Sequence, residues 1–151
     1  MRVLKKNKPK ILIHVSIDKD LKEITPRIPE CAIKGTEDRT IERCCFSDDI
    51  DKCLKAIEPI FSTYYVYVAI LRKDQKIFKP SKKEVFDSFL TSEVWTVEPT
   101  QVVCVGSIKI KGIYKTIKYH VNQKPYIIHN HIYDWSWIEK YECYEKCFGK
   151  I

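Results

Sequence analysis

Residues 91 to 111 read TSEVWTVEPTQVVCVGSIKIK, and the fold turns on how this stretch is read. Val, Ile, Thr and Trp dominate it, side chains that suit a pleated, half-buried surface. Glu98 and Pro99 interrupt it, a pair that suits the gap between strands better than the middle of one. The stretch predicts a short strand opened by Glu93 and a longer one running to Lys111. A turn at Gly112 and a partner strand IYKTIKYHV then follow. Glu93 heads a run that otherwise belongs in a core, and a carboxylate there needs either water or a task.

Upstream, KILIHVS (10–16) is a brief continuous apolar run, as in a strand covered on both faces, with His14 inside it. Two prolines, a glycine and scattered charges in 17–40 predict a long connection with room for one helical turn. IERCCFSDDIDKCLKAIEP predicts a strand from Glu42 to Phe46 and a helix starting after Ser47. Ser47 is a suitable N-cap, Asp48 and Asp49 suit the positive end of the helix dipole, and Ile50, Cys53, Leu54 and Ile57 fall on one face. STYYVYVAILRK reads as a central strand, apolar on both sides.

PSKKEVFDSFL predicts a short helix with Val85, Phe86 and Phe89 inward, and PYIIHNHIY one more strand. In the tail, DWSWIEKYECYEKCF places Trp137, Tyr141, Tyr144 and Phe148 on one face of an aromatic C-terminal helix that Asp134 could cap.

The bulk numbers set limits. With 151 residues, 44% of them hydrophobic, the chain suffices for one packed core and is short for two, so a single domain over 1–151 is expected. A net charge of +7 attracts anions such as nucleic acid, an acidic protein or a diphosphate. The lysines are spread along the chain, which suits a solvated surface better than a nucleic-acid stripe. Seven cysteines, two of them the adjacent Cys44 and Cys45, do not make a complete disulfide set, so a reducing cytoplasm is expected. ILIHV is too short and too interrupted for a signal peptide, and no apolar run reaches membrane-spanning length.

Glycine occurs only at 35, 106, 112 and 149, which excludes a dinucleotide-binding G-x-G-x-x-G and a P-loop. His129 and His131, two apart on a strand, with Cys143 and Cys147 on a helix, could supply four zinc ligands. The tight C-x2-C pairing is missing, however, and core packing accounts for all four, so no metal is assigned.

Three pieces remain in a fixed order: LIHVS, ERCCFSDDIDKCLKAI and SEVWTVEPTQVVCVGSIKIK. Together, over roughly residues 10 to 111, they resemble the motifs of the ADP-ribosyltransferases of the diphtheria-toxin and poly-ADP-ribose-polymerase branch. That family has a first-strand histidine followed by glycine and a hydroxyl residue, then a tyrosine-phenylalanine strand leading through a small residue into a helix, then a glutamate opening a strand with a kink after it. Two positions depart from the pattern: Val15 replaces the glycine and Cys45 the tyrosine.

The resemblance implies an α+β fold of split mixed and antiparallel sheets with short helices, and NAD as substrate. It implies Glu93 and His14 as catalytic residues, with His14, Val15, Ser16, Cys45, Phe46 and Ser47 around the nicotinamide-ribose end and Arg27 toward the diphosphate. Lys10 is a weaker diphosphate candidate, and Tyr64, Tyr65 or Tyr67 could stand in for the missing ring. The implied activity is transfer of ADP-ribose to an acceptor, most naturally a protein side chain. A catalytically silent binding module of the same fold, for a nucleotide or protein partner, is the alternative, and a basic nucleic-acid-binding β-domain is a weaker one.

Overall fold

The structure is a computed structural model that describes residues 2–3, 11–29, 37–56, 63–85, 91–119 and 124–138. These residues form nine strands and one α-helix: β1 (Arg2–Val3), β2 (Ile13–Ser16), β3 (Glu23–Ile24), β4 (Cys44–Phe46), α1 (Ile50–Ala56), β5 (Thr63–Ile70), β6 (Phe78–Lys79), β7 (Val94–Thr96), β8 (Thr100–Lys118) and β9 (Tyr126–Trp137). All ladders are antiparallel and fall into two sheets. One has the order β1-β6-β7-β4; the other is β2-β5-β8, with β3 and β9 both on β8. The described part is therefore mostly β, in two antiparallel sheets with little helix, which agrees with the expected sheets and short helices at that coarser level.

β5 is central, as its two-faced apolar pattern requires. Tyr64, Val66 and Val68 on one face pack with Ile13, Val15, Val105 and Ile108 beneath Ile50, Cys53 and Leu54 of α1. Tyr67, on the opposite face, meets Leu12, Cys44, Phe46, Val94 and Val102, which brings the second sheet against the first. Among the described residues the sheets are joined through the backbone where Ile13 and Ser47 exchange both hydrogen bonds at 2.7 and 2.9 Å. Pro99 lies in the break 97–99 that carries the chain from β7 in one sheet to β8 in the other, as a residue without an amide donor should.

Other expectations are corrected. Gly112 is no turn: β8 runs straight through it, and the ladder to β9 slips register between Ile110 and Gly112. A residue without a side chain serves a bulge as well as a turn. Asp134 caps nothing, because 134–137 continue β9 and Asp134 takes the ammonium of Lys111 at 3.3 Å. The cap of α1 is Asp49, whose Oδ1 accepts from the Lys52 amide at 3.2 Å, while Ser47 is committed elsewhere. The long connection carries β3, which adds to β8, and a bridge between Arg27 and Arg43; its residues 30–36 lie outside the described residues. The expectations that rest on Lys10, Ile57, Phe86, Phe89, Tyr141, Cys143, Tyr144, Cys147 and Phe148 lie outside the described residues; Val85 is buried.

Gly106 has a distinct reason. A Cβ there would sit 2.5 Å from the carbonyl oxygen of Ser136 and 3.2 Å from the Trp135 ring, so only glycine lets β9 lie this close to β8.

Candidate functional site

Where the sheets part beyond the Ile13–Ser47 junction they leave a cavity of about 360 Å³, inside the range of small-molecule sites, roughly 300–1,000 Å³. His14, Val15, Ser16, Arg27, Cys45, Phe46, Ser47 and Glu93 all line it. These eight residues are thus brought to one place by four separate pieces of chain: β2, the segment after β3, the β4 end, and the entry to β7.

β2 contributes in two ways. Leu12 accepts from Ala69 on the β5 side and Ile13 bonds Ser47 on the other. Because antiparallel bonding alternates, the amide and carbonyl of Val15 point the same way as those of Ile13, into the gap, where they have no hydrogen-bond partner among the described residues. His14 is the second contribution. Its Nδ1 lies 3.0 Å from the carbonyl oxygen of Cys45. A carbonyl only accepts, so Nδ1 carries the hydrogen and Nε2 of the neutral ring is left as an acceptor. Burial holds the imidazole pKa below its ordinary value, outweighing the bond to Cys45, and Arg27 lowers it further. The ring meets Phe46 edge-on with centroids 6.0 Å apart.

Glu93 is only 7% exposed, so its carboxylate is not the solvated strand head that a glutamate in this position usually is. Its Oε1 accepts from the indole Nε1 of Trp95 at 2.7 Å. Ser92, just before it, has φ 50°, a left-handed backbone uncommon for a residue with a side chain. Ser47 ties the two sides of the site together: its buried hydroxyl donates to the carbonyl of Thr91.

Cys45 pairs with Trp95 across the β4–β7 ladder. Burial, and then the carboxylate of Glu93, push its thiol pKa well above the ordinary value. It remains a thiol at neutral pH and is no nucleophile. Among the described residues no tyrosine replaces the ring that the family has at this position: Tyr64, Tyr65 and Tyr67 do not line the cavity. The Tyr67 hydroxyl instead donates to the carbonyl of Asp18 and accepts from the Leu21 amide, holding the loop before β3.

Sequence reasoning missed Arg43. It is 1% exposed, its guanidinium lies 4.1 Å from the centroid of Trp95, and its amines donate to the carbonyls of Asp38 and Ile41 at 3.0 and 2.9 Å and to Glu37 at 3.2 Å. Trp95 was legible in principle, because residues i and i+2 of an extended segment share a face, which puts an indole donor beside Glu93. In "TIERCCF" nothing distinguishes Arg43 from half of a solvated Glu–Arg pair.

Comparison with protein-family models, with curated proteins and with solved structures gives no match. The site therefore rests on its own geometry. Among the described residues no cluster of His, Cys, Asp or Glu is suited to a metal ion, and no helix is long and apolar enough to cross a membrane.

Proposed function

We propose that the protein is an NAD-dependent ADP-ribosyltransferase that transfers ADP-ribose to an acceptor side chain, most naturally on a protein, and releases nicotinamide. The observation that carries this reading is the meeting of His14 and Glu93 in one cavity, with the outward backbone of Val15 beside them. NAD brings its own leaving group, nicotinamide, which departs with the electron pair of the glycosidic bond and leaves positive charge developing on the ribose carbon, as in glycoside cleavage. The Val15 amide and carbonyl suit a carboxamide, which needs one donor and one acceptor. That match depends on backbone alone, so valine in place of glycine narrows the pocket and keeps the contact. Nε2 of His14 accepts from one ribose hydroxyl and orients the sugar.

Trp95 occupies Oε1 of Glu93, and Oε2 accepts from a second hydroxyl and opposes the developing charge. Around a carboxylate this buried, one well-aimed group is worth about 3–4 kcal/mol, two to three decades in rate. Arg27, also in the cavity wall, is the diphosphate partner.

Cys45, and the lack of a tyrosine among the described residues of the cavity wall, favour a second reading, a catalytically silent module that binds a nucleotide or a protein. Labelled NAD incubated with purified protein and cell extract separates the two. The transferase reading expects nicotinamide release and transferred label, both lost in Glu93→Gln. An absence of turnover with a melting temperature raised by NAD supports the module. Absence of both responses overturns the transferase and leaves only a module for a partner other than NAD.

A further inference from the structure

β9 is an edge strand of twelve residues with a single ladder, to β8; among the described residues no strand pairs with its other side. Natural sheets blunt such edges with lysine, proline or short length, because an open row of amides and carbonyls invites another strand. Here the protection lies on the wrong strand. β8 carries Lys109, Lys111, Lys115 and Lys118, whereas Tyr126–Trp137, YIIHNHIYDWSW, has no lysine, arginine or proline and one acid, Asp134, which Lys111 neutralises at 3.3 Å. Ile127 and Ile132 are 57% and 54% exposed on this strand.

The sequence of β9 also says what the edge fits. Residues 128–132 read Ile-His-Asn-His-Ile, the same in both directions about Asn130, and the symmetry extends to large apolar side chains at Ile127 and Tyr133. A strand that reads alike both ways is complementary to an antiparallel copy of itself, and a two-fold axis demands this of an isologous contact. We propose that β9 pairs edge to edge with β9 of a second copy, antiparallel and centred on Asn130, so that one sheet runs through both chains. In that register Asn130 faces its own counterpart, His129 faces His131, Ile128 faces Ile132, Ile127 faces Tyr133, and Asp134 faces Tyr126. No like charges are opposed, and main-chain bonds supply the affinity as in strand addition generally. A different partner would have no use for the palindrome. The proposal is independent of the chemistry assigned to the cavity.

The full chain is examined by sedimentation and light scattering up to about 100 μM. Two-chain mass at the upper concentrations is expected. Ile132→Lys sets an ammonium against an apolar counterpart at an already exposed position and is expected to weaken association about tenfold or more, with an unchanged circular dichroism spectrum. Asn130→Cys tests the register. Directly opposed residues in an antiparallel pair have Cα atoms about 4.5–5.5 Å apart, within disulfide reach, so mild oxidation is expected to give a covalent dimer absent from the wild type and from Ile127→Cys. One-chain mass at every concentration overturns the proposal. So does a dimer that Ile132→Lys leaves intact and that Asn130→Cys fails to cross-link.

Discussion

Trp95 and Glu93 stand two residues apart on one extended segment, and the indole N–H donates to Oε1 at 2.7 Å within a buried pocket. The carboxylate is therefore aimed before any ligand arrives. Trp95→Phe keeps the ring and removes the donor. Leaving a buried acceptor without its partner costs about 1–3 kcal/mol, so urea or thermal unfolding is expected to show a loss of that size. On the transferase reading, kcat for nicotinamide release falls while KM for NAD changes little, because the aim of Glu93 is lost and the other ligand contacts stay.

Arg43 fixes the indole in turn. It lies over the ring of Trp95 and donates from its two amines to Asp38, Ile41 and Glu37. Removing the guanidinium leaves the carbonyls of Asp38 and Ile41 without their donor, a loss of about 1–3 kcal/mol. Arg43→Met is expected to destabilise by that amount. Arg43→Lys keeps the charge but not the planar fork, and falls between. Chemical denaturation of the two variants measures the order.

Much of this arrangement was legible in the sequence where one physical signal dominated. Tyr64 to Ile70 alternates too little to be anything but a central strand, and the Glu98–Pro99 pair breaks the chain where it changes sheet. Ambiguous residues were the failures. Gly112 suits a turn or a bulge equally, and only the ladder between β8 and β9 decides. Asp134-Trp-Ser-Trp carries both a capping residue and a two-residue alternation; the alternation won, because Trp135 and Trp137 reach the core through it. The site was legible from the order of His14, Cys45-Phe46-Ser47 and Glu93. Arg43 was not, since its worth lies in a Trp95 that only folding brings beside it.

His14 makes stability depend on pH. Its folded pKa lies below the ordinary value near 6.5 because burial disfavours the imidazolium. The unfolded chain then binds more protons than the folded one as pH drops under 6.5, so stability falls with acidification from there toward the folded pKa and is constant above. His14→Gln removes the titration. Melting temperatures between pH 5 and 8 are expected to decline on the acid side for the wild type and to decline less for the variant.

Ser47 and Asp49 exchange the roles that their sequence suggests. Ser47→Ala leaves the buried Thr91 carbonyl without its donor and is expected to cost about 1–3 kcal/mol, loosening the link between the β4 end and the segment that carries Glu93. Asp49→Ala removes the cap of α1, a loss of about 1 kcal/mol. The discriminating measurement is NAD affinity. On the transferase reading, calorimetry finds NAD binding weakened by Ser47→Ala, whose side chain lines the cavity, and unchanged by Asp49→Ala, which does not line it.

The two glycines of β8 separate close approach from backbone freedom. At Gly106 an added methyl would stand 2.5 Å from the Ser136 carbonyl oxygen, a backbone atom that cannot swing aside. Gly106→Ala must either push β9 off β8 or strain both strands, and overpacking of this kind costs about 1–3 kcal/mol. At Gly112 the nearest atom to the same methyl is the end of the Ile132 side chain at 3.9 Å, an ordinary contact. Gly112→Ala is therefore tolerated, and the loss of glycine's freedom in the unfolded chain favours it by about 0.4–1 kcal/mol. Were Gly112 the turn its sequence suggests, with a left-handed backbone, alanine there would destabilise instead. Paired urea titrations of the two alanine variants, with opposite signs expected, read the difference directly.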